Sequence, residues 1–163
     1  MKQLILIFAA ILVISCSNSA KAQCTLPYRA LSTFNNNTEA YLKYNFTDRA
    51  DCYKGKTFEE VVTDLKIPIA SFLAFNDGDI YGDSYLKCAG MYLYFVPYED
   101  RDYRETILNE FFPSLIIKWE TPFLLSVIDE QEKITGNYNW TTTIYNLLKD
   151  KKIKSVSTLE NDN

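Results

Sequence analysis

Histidine is absent from this chain of 163 residues. Its absence removes Ser-His and Cys-His activation of a nucleophile, histidine-ligated zinc, and the usual pH switch near neutrality. The sequence also lacks a GxSxG motif, a P-loop and a dinucleotide-binding fingerprint, and its cysteines lack the CxxC spacing of redox and zinc sites. We therefore expect a protein that is not an enzyme and binds no cofactor.

Glycine and proline are scarce, with five of each, whereas aromatic residues make up 15% of the chain and include twelve tyrosines. This composition is typical of a folded domain rather than of a disordered chain. The net charge of −4 gives no general attraction for phosphate backbones, so we expect no nucleic-acid partner. No internal repeat or linker divides the sequence, which predicts a single domain.

The N-terminus has the pattern of an export signal. Lys2 supplies a positive charge, the run from Leu4 to Ser15 is almost wholly apolar, and Ala20-Lys21-Ala22 places small residues where a signal peptidase requires them. Cleavage after Ala22 would remove residues 1–22 and release the protein. We therefore expect an exported protein.

A second processing site overlaps the first. Val13-Ile14-Ser15-Cys16 resembles the lipobox of bacterial lipoproteins, in which the cysteine is acylated and becomes the new N-terminus. The resemblance implies that residues 1–15 are removed and that a lipid on Cys16 ties the protein to a membrane. We favour this tether, which predicts a location in the bacterial cell envelope; cleavage after Ala22, giving a periplasmic or secreted protein, stays open.

Three cysteines follow the signal, namely Cys24, Cys52 and Cys88. In an oxidising compartment an odd number indicates one disulfide and one remaining thiol. We predict a Cys52–Cys88 disulfide, because both residues flank predicted core elements whereas Cys24 lies near the terminus. A bridge from Cys24 to either of the others stays open, because connectivity cannot be read from spacing.

The rest of the chain divides into a polar lead-in at residues 23–38, an α+β domain at residues 39–158 and a frayed tail at residues 159–163. Alternation of apolar and polar residues predicts four strands and a weak fifth. They span residues 41–46, 67–75, 91–98, 115–119 and 151–157.

Helices are predicted between these strands from caps and helical spacing. Thr57 and Glu60 form a capping box at the start of the first helix. Asp102 is predicted to cap the second, whose buried stripe would contain Tyr103, Ile107, Leu108 and Phe111. Two further helices are expected to begin at Thr121-Pro122 and at Asn139.

The predicted order, β-α-β-β-α-β, matches the ferredoxin-like arrangement with a helical extension at the C-terminus. Only Lys66 separates the first helix from the next strand, however, which is short for a right-handed crossover. We therefore predict an α+β fold with an antiparallel or mixed sheet and three to four helices. The ferredoxin-like topology is one arrangement of that class.

Tyrosines supply the most suggestive candidate binding surface. Tyr92, Tyr94 and Tyr98 are predicted on one strand face, and Tyr81 and Tyr85 lie in the loop before it. An exposed row of rings stacks on sugars or anchors a protein partner. The alternative, burial of this face under a helix, is the interpretation we favour.

Acidic residues give weaker candidates. Asp77, Asp79 and Asp83 lie in a loop that partly matches a calcium-binding loop, but Cys88 stands where a bidentate glutamate is needed. A solvated turn is therefore favoured, and we expect no metal. Glu120, after Trp119 at a strand end, is a candidate pocket acid, although an exposed carboxylate is the simpler interpretation.

Three functional hypotheses follow. The first is a non-catalytic adaptor on the bacterial envelope that binds another envelope protein. The second is a module that binds carbohydrate or peptidoglycan through the tyrosines. The third is a small hydrolase that uses carboxylates alone, for which the sequence offers no positive signal.

Overall fold

A four-stranded antiparallel sheet forms the centre of the protein. The computed structural model describes residues 24–76, 86–108 and 110–159. The strands are β1 (Ser71–Phe75), β2 (Lys87–Tyr94), β3 (Ser114–Leu124) and β4 (Ile153–Thr158). Each strand pairs with its neighbours in the sequence, which gives the order β1-β2-β3-β4.

Five α-helices accompany the sheet in the described ranges, together with three shorter helical turns. The α-helices are α1 (Thr38–Leu42), α2 (Phe58–Asp64), α3 (Tyr98–Leu108), α4 (Ser126–Thr135) and α5 (Thr142–Leu148). A π-helical turn continues α1 over Lys43–Thr47, and 3₁₀ turns span Leu31–Phe34 and Ala50–Cys52. The predicted α+β class and single domain are confirmed.

The ferredoxin-like topology is wrong. In that arrangement each crossover places a strand between two others that precede or follow it non-sequentially, whereas here every strand lies beside its neighbours in sequence. The predicted first strand is also wrong, because residues 41–46 are helical. Tyr41, Leu42, Asn45 and Phe46 are all buried at helical spacing, and the polar Asn45 hid this periodicity.

Asn45 can be buried because its side chain is fully used. Its amide nitrogen donates to the carbonyl oxygens of Arg29 and Tyr41, and its amide oxygen accepts from the Arg29 backbone. These bonds attach the N-terminal segment to the helical layer. A buried polar side chain with such partners avoids the desolvation penalty of an unpaired one.

One face of the sheet carries the core. Phe72, Met91, Leu93, Leu115 and Ile117 point to this face and are buried against the helical layer. Gly90 allows close strand packing, because an added Cβ would overlap the Ile117 carbonyl oxygen and the Phe75 ring. The opposite face is only partly covered.

Two of three predicted helix starts shift. The capping box of Thr57 and Glu60 is present at the start of α2, as predicted. In contrast, β3 runs through Thr121-Pro122, so the helix predicted there begins only at Ser126. The last helix is capped by Thr141, whose hydroxyl accepts from the Ile144 amide, and not by Asn139.

Candidate functional site

The predicted tyrosine row is not a continuous exposed surface. Tyr94 is buried, Tyr92 is half-buried on β2, and Tyr98 lies on α3 rather than on the strand. The Tyr92 ring packs against Phe75, with centroids 5.0 Å apart. The other two residues of the candidate surface, Tyr81 and Tyr85, lie outside the described residues.

Arg101 occupies the face of the Tyr94 ring. Its guanidinium carbon lies 3.9 Å from the Tyr94 centroid and 5.1 Å from that of Tyr98, and only 4% of the residue is exposed. Such a contact stabilises a cation over an aromatic ring. A sugar therefore cannot stack on this face of Tyr94 while Arg101 remains in place.

The buried guanidinium is incompletely paired. Nε of Arg101 lies 3.5 Å from Oε2 of Glu105, but neither Nε nor Nη1 has a hydrogen-bond partner. Burial raises the pKa of Glu105 while Arg101 opposes that rise. The inner face of α3 therefore buries a cation where an amphipathic helix normally buries apolar side chains.

The exposed side of α3, in contrast, carries three large apolar residues. Tyr103, Ile107 and Leu108 are 59%, 63% and 52% exposed. The prediction that they form the buried stripe of this helix is therefore wrong. Asp100, Tyr103 and Ile107 follow one another at spacings of three and four residues and so lie along one stripe.

A separate cavity of about 430 Å³ lies along α4. Six of the described residues line it, namely Asp129, Glu132, Lys133, Gly136, Asn137 and Tyr138. Burial, with a further contribution from Asp129, raises the pKa of Glu132 to about 7. The Glu132 charge in turn raises the pKa of Tyr138. Perturbed carboxylates in a cleft mark a candidate binding site.

The geometry of this acid pair follows from the helix. Asp129 and Glu132 are three residues apart, which places both on the same side of α4. Gly136 ends the helix with a left-handed backbone, at φ 74°, and turns the chain towards Tyr138. A glycosidase needs two carboxylates on either side of the scissile bond. Two acids on one side are better arranged to contact a cation together.

A second cavity, of about 330 Å³, lies on the other side of Asp129 from the first. It is lined by Leu86, Leu124, Leu125, Ser126 and Asp129, so Asp129 borders both cavities. The Leu125 amide donates to the Leu86 carbonyl oxygen at 2.7 Å, which holds the two sides of the cavity together. We call the two cavities together the α4 groove, with an apolar end at the leucines and an acidic end at Glu132.

The α4 groove adjoins the start of α3. The rings of Tyr98 and Tyr138 are 4.8 Å apart, and the Glu99 carboxylate accepts hydrogen bonds from Asn137 and Asn139. A backbone hydrogen bond at Glu99 and the bond from Asn139 lower the pKa of this carboxyl. The first turn of α3 thus lies beside the α4 groove.

The disulfide joins Cys24 to Cys52, with 28 residues of separation, so the predicted Cys52–Cys88 pairing is wrong. Cys88 lies in β2 with its side chain buried, and its thiol donates to the Gly90 carbonyl oxygen. Burial raises the pKa of Cys88 to about 11. This thiol is therefore structural rather than nucleophilic.

The remaining predicted site residues do not gather into a site in the described part of the chain. Glu120 is exposed and lines neither cavity of the α4 groove. Asp77, Asp79 and Asp83 lie outside the described residues, as does Cys16. Among residues 24–76, 86–108 and 110–159, no group of three potential ligands could hold a metal ion.

Sequence reasoning missed both Asp129 and Glu132. The signal that could have found them was their spacing of three residues on a helix ending at Gly136, but misplacing the helix start at Thr121 obscured it.

No helix in the described ranges is both long enough and apolar enough to cross a lipid bilayer. No protein-family model, curated protein or solved structure matches the chain.

Proposed function

We propose that this protein is an exported, non-catalytic adaptor, tethered to the bacterial envelope through Cys16, that binds another envelope protein through α3. The observation that carries the proposal is the inverted polarity of α3, which buries Arg101 and exposes Tyr103, Ile107 and Leu108. A contiguous exposed apolar patch is a typical mark of a protein–protein contact. Tyrosine is also enriched among residues that dominate such contacts.

The partner's surface follows from the chemistry of α3. Tyr103 and Ile107 lie on a stripe that begins at Asp100, and Asp102 is exposed beside it. An amphipathic helix of this kind binds in an apolar groove. The acids at its N-terminal end fit a groove with basic residues on its rim.

Export is supported by two independent features. The N-terminal sequence has a charged start, an apolar run and Cys16 in a lipobox-like context. The Cys24–Cys52 disulfide fits an oxidising compartment, because such bonds are rare in the cytosol. On the tethered form, residues 17–23 would connect the lipid to the disulfide-bonded domain.

Site-specific photocrosslinking tests the docking surface. A benzophenone amino acid placed at Tyr103 or Ile107 in the producing cells should yield one defined adduct with a second envelope protein. The same probe at Ser155, an exposed residue of β4, is the matched control and should yield none. Equal adducts at all three positions, or none at Tyr103 and Ile107, would overturn the role of α3.

The tether is tested separately by the mass of the mature N-terminus. A diacylated or triacylated Cys16 supports the lipoprotein. An unmodified chain that begins at Gln23 would overturn the tether without bearing on the α3 contact. The lipid tether and the α3 contact can therefore each be refuted without refuting the other.

A further inference from the structure

We propose that the α4 groove is a second binding site, which takes a segment of a partner protein containing an apolar side chain followed by lysine or arginine. This site is distinct from α3 and does not depend on the adaptor contact proposed there. The argument rests on the two cavities, which differ in chemistry and meet at Asp129.

The apolar end is a concave surface made by leucines. Leu86 and Leu124 are 46% and 57% exposed although they border a cavity of about 330 Å³. Water in such a cavity finds few hydrogen-bond partners, so an aliphatic side chain that replaces it is stabilised by the apolar surface that it buries. The leucines therefore favour an apolar side chain over a polar one.

The acidic end favours a cation. Asp129 and Glu132 both line the larger cavity, whereas Lys133 is the one basic side chain among its described lining residues. The Tyr138 hydroxyl adds a hydrogen-bond acceptor from the loop after α4. An ammonium or guanidinium group placed between the carboxylates would favour their ionised forms and make charge-assisted hydrogen bonds.

The combination of the two ends selects the occupant. An anion would be repelled by Asp129 and Glu132, and Ca²⁺ requires six to eight oxygen ligands, more than these side chains offer. A small free amine would leave the leucine cavity unfilled. A peptide segment with an apolar residue next to a basic one satisfies both ends at once, and the net charge of −4 favours its approach.

Fluorescence anisotropy with short labelled peptides tests the site on the purified full-length protein. The probe is an acetylated and amidated peptide containing Leu-Leu-Lys-Arg. One comparison peptide replaces Lys-Arg with Glu-Glu, and the other replaces Leu-Leu with Gly-Gly. Each replacement should weaken binding at least about tenfold, because each removes one of the two kinds of contact. Equal binding of all three peptides would overturn the proposal.

Matched variants locate the site. The double variant Asp129→Asn with Glu132→Gln should weaken binding of the Leu-Leu-Lys-Arg peptide about tenfold. Glu130→Gln removes one charge from the exposed side of the same helix, outside both cavities, and should leave binding unchanged. A double variant that binds as tightly as Glu130→Gln would overturn the assignment to the α4 groove.

The pH dependence provides a second readout. Glu132 shares its cavity with Asp129 and Lys133 of its own helix and with Tyr138 of the following loop, whose ring contacts Tyr98 of α3. Because Glu132 ionises near pH 7, peptide affinity should rise between about pH 6 and pH 8. Glu132→Gln should abolish this rise, and a rise that persists in the variant would overturn the role of Glu132.

Discussion

Arg101 is the residue whose position departs furthest from expectation. It is buried over Tyr94 on the inner side of α3, while three large apolar residues of the same helix are exposed. A buried arginine needs hydrogen bonds to all its N–H groups to offset its desolvation. Here Nε and Nη1 lack them, so the guanidinium is held mainly by the ring face and by the Glu105 charge.

Arg101→Met should therefore raise the free energy of unfolding by about 1 kcal/mol, because it removes a poorly paired buried charge and keeps an unbranched side chain on Tyr94. Urea unfolding of both proteins measures the difference. Arg104→Met, which alters a half-buried cation over Phe112, is the control and should change stability little. A loss of several kcal/mol in Arg101→Met would show that the buried cation is well compensated.

The sequence could not reveal this inversion of α3. Tyr103, Ile107, Leu108 and Phe111 have helical spacing, and spacing alone predicts one apolar face without saying whether that face is buried. The position of Arg101 depends on Tyr94, which belongs to a different element. Packing between elements therefore decided an orientation that the local pattern left undetermined.

At the scale of elements, capping was predictable and the end of a strand was not. The capping box of α2 depends on two residues three positions apart, so local sequence determines it. Thr121-Pro122 also has residue types typical of a helix start, a threonine N-cap followed by proline, but it continues β3. Pro122 falls where β2 shifts register between Cys88 and Gly90, and a strand tolerates proline at such an irregularity.

The α4 helix makes stability depend on pH through Glu132. Its pKa of about 7 in the folded protein lies above the ordinary value of 4.5, so the folded chain binds this proton more tightly. The protonated carboxyl therefore contributes to the free energy of unfolding. This contribution is complete below about pH 4.5 and is lost as the pH rises through 7. Glu132→Gln should therefore be more stable than the wild type by about 1 kcal/mol at pH 8, after allowance for partial exposure.

Thermal or urea unfolding across pH 4–8 measures this effect as the difference between wild type and variant. Glu130→Gln, exposed on the same helix, controls for the loss of one charge. If Glu132→Gln and wild type kept a constant difference from acidic to basic pH, the raised pKa would be contradicted.

At the scale of the whole molecule, the disulfide attaches the start of the described chain to the helical layer. Arg49 supports the attachment, because its Nε donates to the Leu26 carbonyl oxygen at 2.9 Å. Cys88 is excluded from pairing by its place in the core. The sequence predicted one disulfide and one thiol, but the partner of Cys52 depends on how the N-terminal segment folds back.

Replacing Cys24 and Cys52 together with serine should lower the free energy of unfolding by about 2–4 kcal/mol, since the bridge closes a loop of 28 residues. The core cluster does not include Cys24, so the double variant should keep its native circular dichroism spectrum. Dithiothreitol should destabilise the wild type by the same amount and leave the variant unaffected. An unchanged urea midpoint in the variant would contradict the prediction.

The contacts of β4 with the first half of the chain are expected to form late in folding. The Gly55 amide donates to the Ile153 carbonyl oxygen, the Phe58 amide to that of Lys151, and the Thr47 and Thr158 hydroxyls share a hydrogen bond. The strands before β4 can pair as local hairpins, but these contacts span about a hundred residues and close late. We therefore expect a chain that emerges N-terminus first to leave its N-terminal helical layer incompletely packed until its last strand has emerged.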